Sequence, residues 1–323
     1  MQAVRVHEPG PASALRYETV PDPSAGPGEV VVELRAAAVN RRDTLVRTGV
    51  YEFPLPLVLG SDGAGVVRET GEEVVILPGL HWGEREDAPG DDFVVLGGPE
   101  QGTYAELVKV PAENVFPKPA KLSWAEAAAF PVAGLTAYRA LFTRGRLEAG
   151  DTVLVLGAGS GVTTFAVSLA SQAGARVFVT SSSAEKIERA RELGAEGGAD
   201  YRNDDWPDAV RELAGGGIDV VLDSVGSTWP NSLRCLRPGG RVVAFGATGA
   251  ESVELAVRPF YLTQLSLLGS TLGSPREFEQ VLATVEEGRW SPVIDSVRPL
   301  SEAAAAHERM EAGEHFGKLV LAI

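Results

Sequence analysis

The feature that most constrains the fold is a glycine-rich turn that follows a short apolar run. Residues 152–156 are Thr, Val, Leu, Val and Leu, a composition typical of a buried parallel strand. The run ends at Gly157–Gly161, and a helical pattern then continues to Gly174. A second strand is predicted at 175–180, and Ser183 is placed to cap the helix that follows. The stretch therefore predicts a βαβα unit.

Glycines between a strand and a helix let bare backbone approach a phosphate, and the helix N-terminus directs partial positive charge at it. Glycine spacing alone is weak evidence. Here the glycines lie between a strand and a helix, and a second strand follows at the right distance, so the signal is specific. The turn therefore predicts a dinucleotide site that holds the pyrophosphate. The alternative is a tight turn without a ligand.

The end of the second strand decides which dinucleotide is expected. NAD-specific sites carry a carboxylate there, which bonds the ribose 2′-hydroxyl. Here the chain has Thr180, Ser181, Ser182 and Ser183, and Lys186 follows on the next helix. Hydroxyl groups can donate to a 2′-phosphate, and a lysine adds positive charge. The sequence therefore favours NADP over NAD. The alternative is that the serines form only a capping loop.

Further turns are expected at the same edge of the sheet. Apolar strands are predicted at 218–223 and 241–245, each followed by a short polar or glycine-containing turn. Ligands of parallel sheets bind beyond the carboxyl ends of the strands, so these turns should rim one cleft. Tyr201 is a candidate to flank the adenine or the 2′-phosphate, with a packing role as the alternative. The cofactor-binding candidates in this part of the chain are Gly157, Gly159, Ser160, Gly161, Val162, Ser181, Ser182, Lys186, Tyr201, Ser224, Val225, Phe245, Gly246 and Thr248.

Charge and cysteine content restrict the partners and the compartment. The 323 residues carry a formal net charge of −15, which argues against nucleic acid and anionic membrane surfaces as partners. Cys235 is the single cysteine, so a disulfide within the chain and a cysteine-based zinc site are both excluded. No signal-like segment or membrane-length apolar run is found, and a cytoplasmic protein is expected.

The first third of the chain has the pattern of a small, strongly curved sheet. Short β patterns occur at 2–8 and 29–39, and glycines interrupt another at 57–67, as expected for bulges and bends. Residues 78–102 are rich in Gly, Pro and acids and are expected to form an irregular surface segment. This part of the chain therefore predicts a β-barrel domain of short strands.

Several ordered motifs resemble one family, the medium-chain dehydrogenase/reductase superfamily, and within it the zinc-free quinone oxidoreductase-like branch. The resemblance extends along nearly the whole chain. The matching motifs are Asn40-x-x-Asp43, Arg47-x-Gly49-x-Tyr51, Gly60-x-Asp62-x-x-Gly65-x-Val67, the run from Ala127 to Tyr138, the glycine turn, and Phe316-Gly317-Lys318.

The resemblance implies an α/β fold with a GroES-like β-barrel catalytic domain and a Rossmann doubly wound parallel-sheet cofactor domain. The expected boundaries are 1–120 for the first part of the catalytic domain, 121–260 for the NADP-binding domain, and 261–323 for the return to the catalytic domain. The resemblance also implies a homodimer, formed by edge pairing of the strand near 265–269.

The positions that carry zinc ligands in zinc-dependent relatives hold other residues in this chain. The resemblance places their first cysteine at Asn40 and their histidine at Ser61, and their third ligand, a cysteine near 131–134, has no counterpart here. Amide and hydroxyl oxygens are poor zinc ligands. No metal is therefore expected.

The expected activity is hydride transfer from NADPH to a quinone or an α,β-unsaturated carbonyl compound. Asn40 is a candidate to bond the nicotinamide ribose or to orient the substrate, and Tyr51 to donate to the substrate oxygen or stack on a ring. Tyr51 as a plain surface aromatic is the alternative. The resemblance places Thr136 near the nicotinamide. Lys318 is expected to approach the cofactor or, alternatively, to be solvated.

Two other functions stay open from the sequence. One is an alcohol dehydrogenase-type oxidoreductase, and the other is a dinucleotide-binding protein with incidental turnover. One departure from the family pattern is Thr163, which stands where a third glycine allows close helix–strand packing, so the helix is expected to move slightly outward.

Overall fold

The two ends of the chain belong to the same unit of the computed structural model, which describes residues 1–250, 252–288 and 290–323. The first unit comprises Met1–Leu135 with Gly273–Ile323, and the second unit is Thr136–Leu272. Both boundaries lie further along the chain than the expected 120/121 and 260/261. The second one differs because the strand after residue 265 joins the sheet of the second unit.

Strands make up most of the regular structure of the first unit, whereas strands and helices alternate in the second. The strands are β1 (Gln2–Val6), β2 (Leu15–Thr19), β3 (Glu29–Ala38), β4 (Leu57–Val58), β5 (Asp62–Val67), β6 (Glu73–Ile76), β7 (Gly79–Leu80), β8 (Val94–Val95), β9 (Leu107–Pro111), β10 (Val115–Pro117), β11 (Thr152–Val155), β12 (Arg176–Ser181), β13 (Ala195–Asp200), β14 (Ile218–Asp223), β15 (Leu236–Ala244), β16 (Ser266–Gly269), β17 (Ile294–Pro299) and β18 (Lys318–Ala322). The helices are α1 (Arg41–Arg47), α2 (Trp124–Ala129), α3 (Pro131–Tyr138), α4 (Gly161–Gln172), α5 (Ala184–Glu192), α6 (Trp206–Ala214), α7 (Trp229–Cys235), α8 (Val257–Leu262), α9 (Pro275–Glu286) and α10 (Ala303–Glu311).

In the first unit, the long strand β3 is the centre of a seven-stranded sheet. The sheet has the order β10-β6-β5-β3-β18-β17, and β9 also pairs with β3. The closing strand β18 pairs antiparallel with β3 and parallel with β17. A smaller sheet, β2-β1-β4, covers a core that includes Leu57, Leu59, Tyr104 and Leu321, all fully buried. The last strand of the chain is therefore built into the interior of the unit.

The second unit is a sheet of six parallel strands in the order β13-β12-β11-β14-β15-β16. Every residue of β11 is buried, as an apolar strand covered on both faces requires. Counted from β11, this is the 3-2-1-4-5-6 order of a dinucleotide-binding sheet, and the strand order reverses between β11 and β14. The predicted α/β fold with a doubly wound parallel sheet is confirmed.

Residues 78–102 are better anchored than the sequence suggested. Leu80, Trp82 and Leu96 in this segment are 3%, 3% and 0% exposed, and β7 pairs with β8. The expectation of an irregular surface segment is therefore wrong for its apolar side chains, which belong to a core. None of the helices in the described ranges has the length and apolar character needed to cross a membrane.

Candidate active site

The glycine turn after β11 adopts backbone conformations that favour glycine. Gly157 has a φ of +75° and Gly159 a φ of +108°. A Cβ on Gly157 would meet no heavy atom within 4 Å, so conformation and not space requires this glycine. The turn is fixed to the end of β12, because Gly157 N donates to Thr180 Oγ1 at 3.2 Å and Ala158 N donates to Thr180 O at 2.7 Å.

Helix α4 begins directly after this turn, as predicted. Ser160 is its N-cap and accepts a hydrogen bond from Thr163 N at 3.1 Å. The N–H groups of Gly161 and Val162, in the first helical turn, have no acceptor within an α-helix. Together with the helix dipole, these donors suit the pyrophosphate of a dinucleotide.

Thr163 is packed into the turn by its own hydroxyl group. The side chain is 3% exposed, and Thr163 Oγ1 donates to Gly157 O at 3.0 Å. The same oxygen lies 2.6 Å from Ser160 Oγ. At the position where the family pattern has glycine, the Thr163 hydroxyl therefore links two residues of the turn, Gly157 and Ser160.

The serine-rich end of β12 is partly occupied by hydrogen bonds within the protein. Ser183 caps α5 and accepts from Lys186 N at 3.3 Å, and Ser181 Oγ accepts from Ser183 N at 3.1 Å. Tyr201, which is 47% exposed, donates its hydroxyl to Ser182 Oγ at 3.0 Å. Ser183 therefore has the capping role. Two further features at this end of β12 suit a 2′-phosphate: the Ser182–Tyr201 hydroxyl pair, and the first turn of α5, which carries Lys186.

The turns after β14 and β15 lie against each other. Thr248 donates to Ser224 O from both its backbone N and its Oγ1, each at 3.2 Å. Val225 N donates at 2.8 Å to Oδ1 of Asp223, a buried carboxylate to which the sequence analysis gave no role. The structure therefore brings together the candidates on these two turns: Ser224, Val225, Phe245, Gly246 and Thr248.

Asp223 holds its turn with four hydrogen bonds. Its Oδ1 accepts from the N–H groups of Val225 and Gly226, and its Oδ2 accepts from the hydroxyls of Thr228 and Ser232 at 2.7 and 2.8 Å. An acid at the last position of a buried strand, followed by small polar residues, was the available signal for this role. Thr136, at the start of the second unit, is 7% exposed, and its place beside a nicotinamide stays a prediction.

In the first unit, Asn40 and Lys318 meet at Asp62. Lys318 Nζ lies 2.9 Å from Asp62 Oδ2 and donates to Asn40 Oδ1 at 2.5 Å. Asn40 Nδ2 donates to the same Asp62 Oδ2 at 2.9 Å. Lys318 is 2% exposed, so the alternative of a solvated lysine is wrong. From the sequence, Asp62 is recognisable only as part of a motif, without a function.

A second buried acid, Asp43, adjoins this cluster. Its Oδ2 accepts from Asn40 N at 2.8 Å and from the Tyr104 hydroxyl at 2.9 Å. The Tyr104 hydroxyl lies 3.3 Å from Nε2 of His307, which is fully buried. Burial raises the pKa of Asp43 to about 6 and lowers the pKa of His307 to about 3. The first unit thus contains a polar chain from Asn40 to His307, which no local sequence pattern indicated.

Tyr51 has a different environment from this cluster. Its side chain is 45% exposed, and its backbone N donates to Leu45 O at 3.2 Å. The phenol is therefore accessible to a ligand and equally consistent with a surface aromatic. Its role in catalysis stays a prediction.

Two family models match the chain. An alcohol dehydrogenase GroES-like domain matches residues 26–120, and a zinc-binding dehydrogenase domain matches residues 161–287. The first match confirms the GroES-like fold expected for the first unit.

Similar proteins cover nearly the whole chain. A zinc-type alcohol dehydrogenase-like protein of Schizosaccharomyces pombe is 34% identical over 92% of this chain and 91% of its own length. The quinone oxidoreductase of Mus musculus is 31% identical over 99% of this chain and 97% of its own.

Solved structures agree closely with the fold. The crystal structure of an NAD-dependent alcohol dehydrogenase matches with a TM-score of 0.94 and 41% identity over 100% of both chains. A crotonyl-CoA carboxylase/reductase in complex with NADP matches with a TM-score of 0.91 and 27% identity, over 100% of this chain and 94% of that one. The two names differ in the dinucleotide, so they do not decide between NAD and NADP.

The residues present fit a dinucleotide but do not fit zinc. The open glycine turn and the free first turn of α4 are a cradle for phosphates. At the positions of the zinc ligands, Asn40 is bonded to Lys318, and Ser61 donates its hydroxyl to Leu96 O at 2.7 Å. In the ranges that the structure describes, no three His, Cys, Asp or Glu side chains are grouped to hold a metal ion.

Proposed function

Because this chain belongs to the medium-chain dehydrogenase/reductase superfamily, we propose that it transfers a hydride from NADPH to a quinone or an α,β-unsaturated carbonyl compound, without a metal. That the chain is an oxidoreductase follows from its relatives. The choice of NADPH and of this substrate class is the proposal. The similarity to a quinone oxidoreductase and to a reductase solved with NADP supports both choices.

The observation that carries the proposal is the end of β12. Ser181, Ser182 and Ser183 stand where an NAD-specific sheet has a carboxylate, and Lys186 begins the helix that follows. A carboxylate would repel a 2′-phosphate, whereas hydroxyls and an ammonium group can bond it. The exposed Tyr201 hydroxyl donates to Ser182 Oγ, so the two hydroxyl groups are already held side by side at the proposed 2′-phosphate site.

The second unit supplies the binding groups for the cofactor. The turn residues Gly157, Gly159 and Ser160 and the N–H groups of Gly161 and Val162 would hold the pyrophosphate, and Thr136 would contact the nicotinamide. The turns after β14 and β15, which are bonded to each other, would bind the remaining part of the dinucleotide through backbone groups. When bound, the reduced nicotinamide supplies the hydride.

Tyr51 and Asn40 are the residues proposed to contact the reacting substrate and the nicotinamide ribose. The Tyr51 phenol is exposed and can donate a hydrogen bond to an oxygen on which negative charge develops. Asn40 is proposed to orient the ligand, because Asp62 and Lys318 hold its amide in one orientation. Lys318 adds positive charge behind it. The catalytic contribution is mainly positioning, with little acid–base chemistry.

An alcohol dehydrogenase-type activity is the second candidate. It is favoured by the 41% identity to a structure named as an NAD-dependent alcohol dehydrogenase. A dinucleotide-binding protein with incidental turnover is the third, and it is favoured only by the lack of an assigned catalytic acid. The three candidates differ in the substrates that are turned over and in the preferred dinucleotide.

A steady-state assay separates these candidates. The purified protein is given NADPH or NADH with quinones, enones and aldehydes, and NADP⁺ or NAD⁺ with alcohols. We expect turnover with quinones or enones and a preference for NADPH. Turnover of alcohols alone would favour the dehydrogenase, and no turnover with any of these compounds would favour the binding protein.

Lys186→Ala tests the cofactor preference with a matched control. We expect the dissociation constant for NADPH to rise about tenfold and that for NADH to change little, because only NADPH carries the 2′-phosphate that the lysine is proposed to contact. The control is Lys109→Ala, a surface lysine of the first unit paired with Glu29, which should leave both constants unchanged. An equal loss of NADPH and NADH binding in Lys186→Ala would contradict the preference for NADPH.

We also propose a homodimer that forms through β16. This strand is an edge of the six-stranded sheet, and α8 beside it in sequence has no buried residue. Val257, Tyr261 and Leu262 on that helix are 73%, 59% and 64% exposed. An apolar helix next to an open strand edge is a surface that a second copy can cover.

A further inference from the structure

The first unit contains a buried ammonium group bonded to Asn40, a position where the resemblance places a zinc ligand. Lys318 Nζ is bonded to Asp62 Oδ2 and Asn40 Oδ1, at 2.9 and 2.5 Å. Asp62 is fully buried, and Lys318 and Asn40 are 2% and 7% exposed. The third side of the cluster is closed by Val132 N, which donates to Asp62 Oδ1 at 2.7 Å. Asn40 and Val132, which lie in segments where the resemblance places zinc ligands, therefore both bond Asp62, and Asp62 in turn bonds a cation that belongs to the chain.

The chemistry of the three side chains determines how the cluster is arranged. An ammonium group has donors only, and an ionised carboxylate has acceptors only. An amide between them can satisfy both neighbours in just one orientation, with its oxygen toward Lys318 and its nitrogen toward Asp62. This is the orientation observed for Asn40. The amide is thus held by two charges of opposite sign.

We propose that the Lys318 ammonium is the resident cation of this site and that its charge keeps divalent metal ions out. In the part of the chain that the structure describes, the Asp62 carboxylate is the one acid bonded to Lys318, and the lysine neutralises it. The neighbouring acid, Asp43, is held by Asn40 N and the Tyr104 hydroxyl. Zinc binds oxygen ligands at about 2.0–2.2 Å. A zinc ion on Asn40 Oδ1 or Asp62 Oδ2 would lie beside the ammonium group, inside a unit where water screens the repulsion poorly. This inference concerns metal affinity and is independent of the substrate proposed above.

Removal of the lysine charge should convert the cluster into a site that responds to metal. Lys318→Met keeps the length of the side chain and leaves Asp62 buried and unpaired. We expect this variant to melt at a lower temperature than the unaltered protein, because a buried carboxylate loses its partner. We expect zinc or cobalt ions to recover part of that loss. The dissociation constant for zinc should be at least about tenfold lower than for the unaltered protein.

A double variant separates the charge from the shape of the cavity. In Asp62→Asn with Lys318→Met, the cavity is the same but no carboxylate awaits a cation. This variant should fold without the penalty of an unpaired charge and should show no stabilisation by zinc. It also provides a folded comparison if Lys318→Met alone is recovered in poor yield.

The experiment measures metal content and thermal melting for the three proteins, after chelator treatment and dialysis, with zinc chloride, cobalt chloride or no metal. The inference is supported if the unaltered protein carries no stoichiometric metal and does not respond, while Lys318→Met is stabilised by metal. It is overturned if the unaltered protein takes up one zinc per chain or melts higher with zinc. Equal metal responses of Lys318→Met and the double variant would also overturn it.

Discussion

At the scale of single residues, the buried chain from Asp43 to His307 shows how the first unit accommodates polar groups. Tyr104 donates to Asp43 and lies within hydrogen-bonding distance of His307, and all three are fully buried. Burial is the main cause that raises the pKa of Asp43, against the hydrogen bonds from Asn40 N and Tyr104 and the smaller effects of the charges on Arg42 and Lys318. Burial, with the nearby charge of Arg47, lowers the pKa of His307. Between about pH 4 and pH 6, both groups therefore favour the neutral form in the folded protein and the charged form in the unfolded chain.

The two shifted groups predict opposing effects of pH on stability. His307 has a folded pKa of about 3, below its ordinary 6.5. The folded state therefore loses stability relative to the unfolded chain as the pH falls from about 6.5 toward 3. From pH 7 to pH 5 the loss is about 2 kcal/mol. Asp43 has a folded pKa of about 6, above its ordinary 3.8, so the folded state gains about 1 kcal/mol over the same interval.

Single substitutions should therefore uncover each effect. In His307→Gln the loss disappears, and the free energy of unfolding should rise or stay level as the pH falls from 7 to 5. In Asp43→Asn the stabilisation from Asp43 at low pH disappears. The free energy of unfolding should then decrease more steeply from pH 7 to pH 5 than in the unaltered protein. Urea unfolding at several pH values measures both. Parallel pH profiles for the three proteins would show that these groups are not the ones that titrate.

At the scale of secondary structure, local patterns were enough to predict the central unit of the sheet. Helix α4 runs from Gly161 to Gln172 as the glycine turn predicted, because strand, turn and helix are set by neighbours in sequence. The expected shift of α4 by Thr163 did not take account of the hydroxyl group. Whether a side chain forms a hydrogen bond to its own turn depends on geometry within a few ångströms, which residue spacing does not describe.

Thr163 should stabilise the turn that it bonds. Thr163→Val keeps the volume and removes the hydrogen bonds to Gly157 O and Ser160 Oγ. We expect a loss of about 1 kcal/mol in the free energy of unfolding and about a threefold or greater loss of NADPH affinity. The measurements are urea unfolding and fluorescence titration with NADPH.

The neighbouring residue offers a matched control. Thr164→Val makes the same chemical change in the same helix, but removes only a bond to the Gly161 carbonyl within the first turn. Its effect on NADPH affinity should be smaller. Equal effects of the two substitutions would show that the Thr163 hydroxyl has no special part in holding the turn.

At the scale of the whole molecule, the pairings that could not be predicted from the sequence join distant residues, whereas Asp223, whose role was also not predicted, has partners within nine positions. Asp62 and Lys318 are 256 positions apart, and Tyr104 and His307 are 203 positions apart. Periodicity and capping signals reach only a few residues along the chain, so they could place each residue on an element without pairing them. The candidates of the second unit were easier to group, because the ends of parallel strands share one edge.

The open edge at β16 gives a prediction about assembly. The unaltered protein should have twice the mass of the 34.0 kDa chain in sedimentation or light-scattering measurements. Leu262→Glu, which places a charge on the exposed face of α8, should shift it toward the monomer. The control is Leu213→Glu, an equally apolar position that is 48% exposed on α6, where the dimer should be unaffected. A monomeric unaltered protein at micromolar concentration would contradict the proposed dimer.

The position of β18 has a consequence for the order in which the protein can be completed on the ribosome. The strand that lies between β3 and β17 is made after the whole of Thr136–Leu272 has been translated. The second unit has all six of its strands in one continuous stretch, so it can reach its native form while the chain is still growing. The first 135 residues must wait for Lys318–Ala322, and until then the edge of β3 is open to a chaperone or to a neighbouring nascent chain.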